Sequence, residues 1–184
     1  MKVVAVLVAA RPRPASGMDS VAAAAIAAIE AARAVPGAVV RVATPADDVA
    51  AVAAQCNVQP AHVVALQGDD PGAWRQAIFK DLFRRGARQV VLVDAEAPPF
   101  AAQVLSDAFA ALSADAGLVA LGPVDDGGCY LLGLAGPKVP DLFTGVRWGT
   151  RYVLMDILRR CEFESRRVEF LPLSPAADQA CSAS

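Results

Sequence analysis

Short valine-rich apolar runs alternate along this chain with longer stretches in which apolar residues recur every three or four positions. The first pattern reads as buried strands and the second as amphipathic helices. Val3–Val8 opens the chain as a strand, and the loop ARPRPASG follows it. Asp19 or Ser20 is placed to cap a helix through Val21–Val35 that stops at Pro36-Gly37. Val39–Ala43 is a second strand, Asp47–Gln55 a short helix, and Val63–Leu66 a third strand. Pro71 then fits a helix start, and Ala77, Ile78, Leu82 and Phe83 form a stripe ending near Gly86. Gln89–Val93 is the fourth strand; after Pro99, Phe100, Val104, Ala108 and Leu112 recur at i+4 on a core-facing helix. A last helix carries Val153, Leu154, Ile157, Leu158 and Cys161 on one side, and Val168–Leu171 is a final strand. Strands alternating with helices predict one three-layer α/β/α domain, residues 1–173, on a mainly parallel, Rossmann-like sheet. Residues 174–184 are small and polar and read as a disordered tail.

One segment breaks the alternation. In GPVDDGGCYLLGL, Leu118–Leu121 and Tyr130–Leu134 flank an Asp-Gly turn, the signature of a β-hairpin. A hairpin explains the glycines but needs no second aspartate, and here Asp125 and Asp126 are adjacent. A second acidic pair, Asp94 and Glu96, follows the fourth strand in VVLVDAEAPPF. Two acidic strand ends in one small α/β chain point to a shared site, where a metal ion or a hydroxyl-bearing ligand is met.

Composition narrows the function classes. The 184 residues suffice for a sizeable core, and the 55% hydrophobic fraction is inflated by alanine. A net charge of −2, from 17 basic and 19 acidic residues, gives no electrostatic reason to expect a nucleic-acid polymer or an anionic membrane as partner. The run after Lys2 is short and β-branched, with Arg11 and Arg13 close behind, so a buried strand fits better than a signal peptide. Cys56, Cys129, Cys161 and Cys181 lack CxxC spacing and a histidine cluster, which argues against zinc and a Cys-His nucleophile. Free thiols in a reducing cytoplasm follow as the default. His62, just ahead of a strand, is given no chemistry.

Three segments, VVLVDAEAPPF, GPVDDGGCYLLGL and LFTGVRWGT, occur in the order and spacing of one family. Together they resemble the bacterial glycosyltransferase-like proteins of the nucleotide-diphospho-sugar transferase superfamily, which are similar in fold to the molybdenum-cofactor guanylyltransferases. The likeness is clearest from Val90 to about Leu171. It implies a nucleotide-sugar or nucleotide ligand and Mg²⁺ or Mn²⁺. Glu96 stands at the family's acidic position before Cys-Pro, and Asp94 where the family has glycine. Asp126 matches the acidic residue of the family's DGGYY, followed by Gly127 and Gly128, with Cys129 replacing the first aromatic. Trp148, Gly149 and Thr150 match its tryptophan motif.

The resemblance thus implies a cation held by Glu96, Asp126 and Asp94, with Asp126 also catalytic. It also implies a nucleotide met by Arg11, Arg13, Gly127, Gly128, Trp148 and Thr150. Such a site belongs at the carboxyl ends of the strands, where open α/β sheets bind ligands. Three departures stand out. The first loop keeps Arg11, Pro12 and Pro14 but lacks the lysine and second arginine that neutralise phosphates, and a middle L-G-E-R motif is distorted into PGAWR, with Gly72 and Arg75. The final D-x-D-T-like signature is also absent. Glycosyl transfer is the first expectation and nucleotidyl transfer the second. A catalytically inactive relative, serving as a binding or scaffold protein, is the third.

Overall fold

The computed structural model describes residues 1–8, 18–45, 49–95, 97 and 100–174. Seven strands form one sheet: β1 (Lys2–Leu7), β2 (Ala38–Pro45), β3 (Val63–Leu66), β4 (Gln89–Asp94), β5 (Leu118–Pro123), β6 (Cys129–Ala135) and β7 (Arg167–Phe170). Five helices connect them: α1 (Met18–Arg33), α2 (Val49–Gln55), α3 (Pro71–Arg84), α4 (Ala102–Ala114) and α5 (Val153–Phe163). The spatial order is β3-β2-β1-β4-β6-β5-β7. β1 pairs in parallel with β2 and β4, β2 with β3, and β5 with β7. Only β6 runs the other way, antiparallel to both β4 and β5.

The reversal follows from loop length. Parallel neighbours need a crossover of a dozen residues or more, whereas the short turn after β5 permits only a hairpin. The expected mainly parallel α/β sheet is therefore the one found, with the Asp-Gly hairpin inside it.

Central strands are buried on both faces, which is why their sequences are continuous apolar runs rather than alternating ones. Alternate residues still serve opposite cores. Val3, Ala5, Leu7, Val90 and Leu92 join Ile78, Phe79, Leu82 and Ile157 from α3 and α5 on one side. Val4, Val6, Val91 and Val93 join Ile29, Leu105, Phe109 and Leu112 from α1 and α4 on the other. These are the three layers the sequence predicts.

Boundaries differ by a few residues. α1 is helical from Met18, so Asp19 and Ser20 lie inside its first turn and neither is its N-cap. Capping is clear at α3, where Asp70 is extended and accepts the Gly72 N–H at 2.8 Å, with Pro71 at the first helical position. Ser174, placed at the head of the tail in the sequence reading, bridges Val124, and its carbonyl accepts the Asp125 N–H at 3.1 Å. Among the described residues, no helix is long and apolar enough to cross a membrane.

Candidate functional site

Register brings the chemistry to one edge of the sheet. β1 and β4 end level, Leu7 opposite Asp94. The antiparallel pairing of β4 runs from Gln89↔Ala135 to Val93↔Leu131, so the start of β6 arrives at the carboxyl end of β4. Pro123 pairs with Cys129, which sets the Asp125–Asp126 turn beyond the carboxyl end of β5.

That turn is built by glycines. Asp126 is exposed, and its Oδ1 accepts the Gly128 N–H at 2.7 Å. Gly127 has φ +84°, a region that penalises any side chain, and an added Cβ would sit 2.2 Å from the Arg151 carbonyl oxygen. Its own carbonyl accepts the Leu154 N–H at 3.0 Å, tying the turn to the first turn of α5. Gly128 closes the hairpin by accepting the Val124 N–H.

Behind the turn, Tyr130 lies across Gly122, where a Cβ would be 2.5 Å from its ring. Its hydroxyl donates to the Pro172 carbonyl at 3.1 Å, and burial pushes the phenol up to about 12. Cys129 donates to the Leu131 carbonyl at 2.9 Å. Burial pushes its thiol up to about 12 as well, so it is held protonated and is a poor nucleophile or metal ligand.

A guanidinium–carboxylate pair dominates the end of β4. Arg75, from the second turn of α3, places Nη2 2.9 and 2.8 Å from the two oxygens of Asp94. Its Nη1 donates to the Pro71 carbonyl at 3.0 Å, and the guanidinium lies 4.0 Å from the centre of the Trp148 ring. Trp148 also packs against Phe143, with ring centroids 6.3 Å apart, and joins the α3–α5 core cluster. Its buried Nε1 has no hydrogen-bond partner among the described residues. Gly72 makes this approach possible, since an added Cβ there would be 3.0 Å from that nitrogen and 2.9 Å from the Phe143 carbonyl. Arg75, Asp94, Cys129 and Trp148 line one small cleft with Leu92, Tyr130, Leu131, Leu132 and Ile157. Asp126 does not line it.

The tryptophan segment is clasped from its other side. Asp156, buried on α5, accepts three bonds from Arg147: the backbone N–H at 3.1 Å, Nε at 2.8 Å and Nη2 at 2.7 Å. These bonds, the side-chain ones foremost, hold its carboxyl down at about 2. Arg147 also stacks 4.1 Å from the Tyr152 ring centre. Thr150 sits two residues ahead of the α5 N-cap. Its hydroxyl donates to the Arg147 carbonyl at 2.7 Å and accepts the Tyr152 N–H at 3.2 Å, while Tyr152 is the N-cap residue.

Of the sequence-predicted residues, Arg11, Arg13 and Glu96 lie outside the described residues. Asp94 and Trp148 come together through Arg75, while Asp126, Gly127 and Gly128 form the neighbouring turn, braced by the Thr150 segment. Among the described residues, no three His, Cys, Asp or Glu side chains gather as a metal would require. Arg75, Arg147 and Asp156 are the functional-site neighbours that sequence reasoning missed; PGAWR was the only signal for Arg75.

The comparisons agree on fold. A protein from Desulfovibrio desulfuricans G20, described as a nucleotide-diphospho-sugar transferase, superposes with a TM-score of 0.80 at 21% identity, over 95% of this chain and 81% of that one. CMP:2-keto-3-deoxy-manno-octonic acid synthetase, complexed with CTP, gives 0.61 at 10% identity, over 95% and 90%. Rv0371c of Mycobacterium tuberculosis H37Rv, in complex with manganese, gives 0.55 at 15% identity, over 95% and 88%. At these identities the likeness establishes the architecture alone. No curated protein matches the chain in sequence. A family model does match, over residues 26–150, from within α1 to the tryptophan segment. The chain therefore belongs to the DUF2064 family, described as an uncharacterized protein conserved in bacteria, and it has the nucleotide-diphospho-sugar transferase fold.

Proposed function

We propose that this protein is a cytoplasmic glycosyltransferase that uses a nucleotide-sugar donor and a divalent cation at the carboxyl edge of its sheet. The observation that carries the reading is the Asp126-Gly127-Gly128 turn. It presents an exposed carboxylate at the carboxyl end of β5, in a fold whose structural neighbours include CMP:2-keto-3-deoxy-manno-octonic acid synthetase complexed with CTP. Ligands of open α/β sheets belong at that edge. A carboxylate oxygen suits Mg²⁺ or Mn²⁺, hard cations that prefer oxygen donors. Asp126 and, by its place in sequence, Glu96 would hold the ion. The ion would supply charge neutralisation to the departing nucleotide diphosphate.

In this reading Arg11 and Arg13 meet the phosphates, and Gly127 and Gly128 hold the turn that presents Asp126 to the nucleotide. Trp148 and Thr150 shape the neighbouring wall. The acceptor hydroxyl attacks the anomeric carbon and gives up its proton to solvent, the bond from that carbon to the diphosphate oxygen breaks, and the electron pair leaves with the nucleotide diphosphate. Nucleotidyl transfer, with pyrophosphate leaving, is the second reading. It is less favoured because the first loop lacks the lysine that would meet the extra phosphate charge.

Calorimetric titration with nucleoside diphosphates in the presence of Mn²⁺ tests the proposal. Asp126→Ala should lose Mn²⁺-dependent binding while keeping the wild-type circular dichroism spectrum. Unchanged affinity in that variant would instead favour a non-catalytic binding protein.

A further inference from the structure

Asp94 was a candidate ligand for the cation, and its surroundings suit a different partner. Both carboxylate oxygens face one guanidinium nitrogen, at 2.9 and 2.8 Å. The guanidinium is fixed from two further directions, by the Pro71 carbonyl at 3.0 Å and by the Trp148 ring at 4.0 Å. A planar cation held on three sides gives up little orientational freedom on pairing, unlike a flexible ammonium. The Arg75 side chain is 12% exposed and that of Asp94 31%, so the pair is screened less than a surface bridge.

The rest of the cleft offers a divalent ion little. Hard cations need several oxygen ligands at 2.0–2.6 Å. Besides Asp94, this cleft is walled by the Cys129 thiol, Leu92, Leu131, Leu132, Ile157 and two aromatic rings, and among the described residues no second carboxylate lines it. A divalent ion on Asp94 would also stand beside a fixed positive charge that cannot leave without abandoning Trp148.

We propose that Arg75 is the resident cation of Asp94, occupying the carboxylate so that Asp94 takes no part in any divalent-ion site. The pair forms an electrically neutral wall next to the Asp126 turn. It positions Trp148 through the guanidinium–indole stack, and Gly72 leaves room for that stack. This deepens the proposed function, because it assigns metal binding in the site away from Asp94.

The test uses Mn²⁺ alone on the full chain, with binding read by electron paramagnetic resonance and by the shift in melting temperature. Asp94→Asn should leave Mn²⁺ affinity within twofold of wild type. Arg75→Met, which strips the carboxylate of its cation, should melt several degrees below wild type with or without Mn²⁺, and Asp94→Asn in that background should recover part of the loss. A tenfold loss of Mn²⁺ affinity in Asp94→Asn overturns the proposal, as does a folded Arg75→Met that melts with wild type. If Arg75→Met does not fold, Asp94→Asn decides alone. Nucleotide is absent throughout, so failure here leaves the transferase reading to its own Asp126 test.

Discussion

At the scale of single residues, the site rests on positions where a side chain is forbidden as much as on those where one is required. Gly127 shows this most sharply. Its φ of +84° and the carbonyl of Arg151 leave no room for a methyl group. Gly127→Ala should therefore destabilise the protein by about 2–3 kcal/mol, combining backbone strain with overpacking. Urea denaturation would check this, and a loss under about 0.5 kcal/mol, the size of an ordinary surface substitution, would mean that α5 is not tied to the turn. The sequence made the glycines visible as a turn signal. It could not show that one of them is a docking point for a helix more than twenty residues on, because that contact depends on how the helix returns.

Among elements, α5 and the segment before it form a clasp. Arg147 and Asp156 are nine residues apart, and their three hydrogen bonds bend the chain around the tryptophan motif. Because the folded carboxyl sits at about 2, against an ordinary 3.8, its ionised form is favoured by folding. That contribution is present above about pH 3.8 and disappears as pH falls through about 2. The melting-temperature gap between wild type and Asp156→Asn should accordingly be widest near neutral pH and narrow steadily across this acid range. A constant gap would assign the loss to packing rather than charge.

Element identity was legible throughout: β3 matches its sequence reading residue for residue, and the boundaries of the other strands differ by at most two residues. The side-chain pairs were not. Arg75 and Asp94 belong to different periodic runs, and nothing local marks them as partners. Thr150 has the right chemistry for a cap but spends its hydroxyl on the turn before α5.

For the molecule as a whole, the mainly parallel sheet was legible because the central apolar runs had to be buried on both faces, and the short Asp-Gly turn required a reversal. The site was legible in part. Its acidic turn lies in a contiguous motif, whereas the wall beside it is assembled by register between β4, β6 and α3. Burial across this assembly also sets an alkaline limit. Cys129 and Tyr130 are pushed up to about 12 and Cys161 to about 11, from ordinary values of 9.0 and 10.0. Their neutral forms are favoured by folding, so stability should be full below about pH 9 and fall as pH rises toward these values. A melting curve that stays level from pH 8.5 to 11 would contradict this. One feature of the hairpin reaches further. The strand leaving β7 is moored to the back of the acidic turn, with Pro172 taking the Tyr130 hydroxyl and Ser174 pairing beside Asp125. Because those bonds fasten residues 172–174 to the hairpin, a pull on the chain at Ser174 would be transmitted to the backbone that carries Asp126.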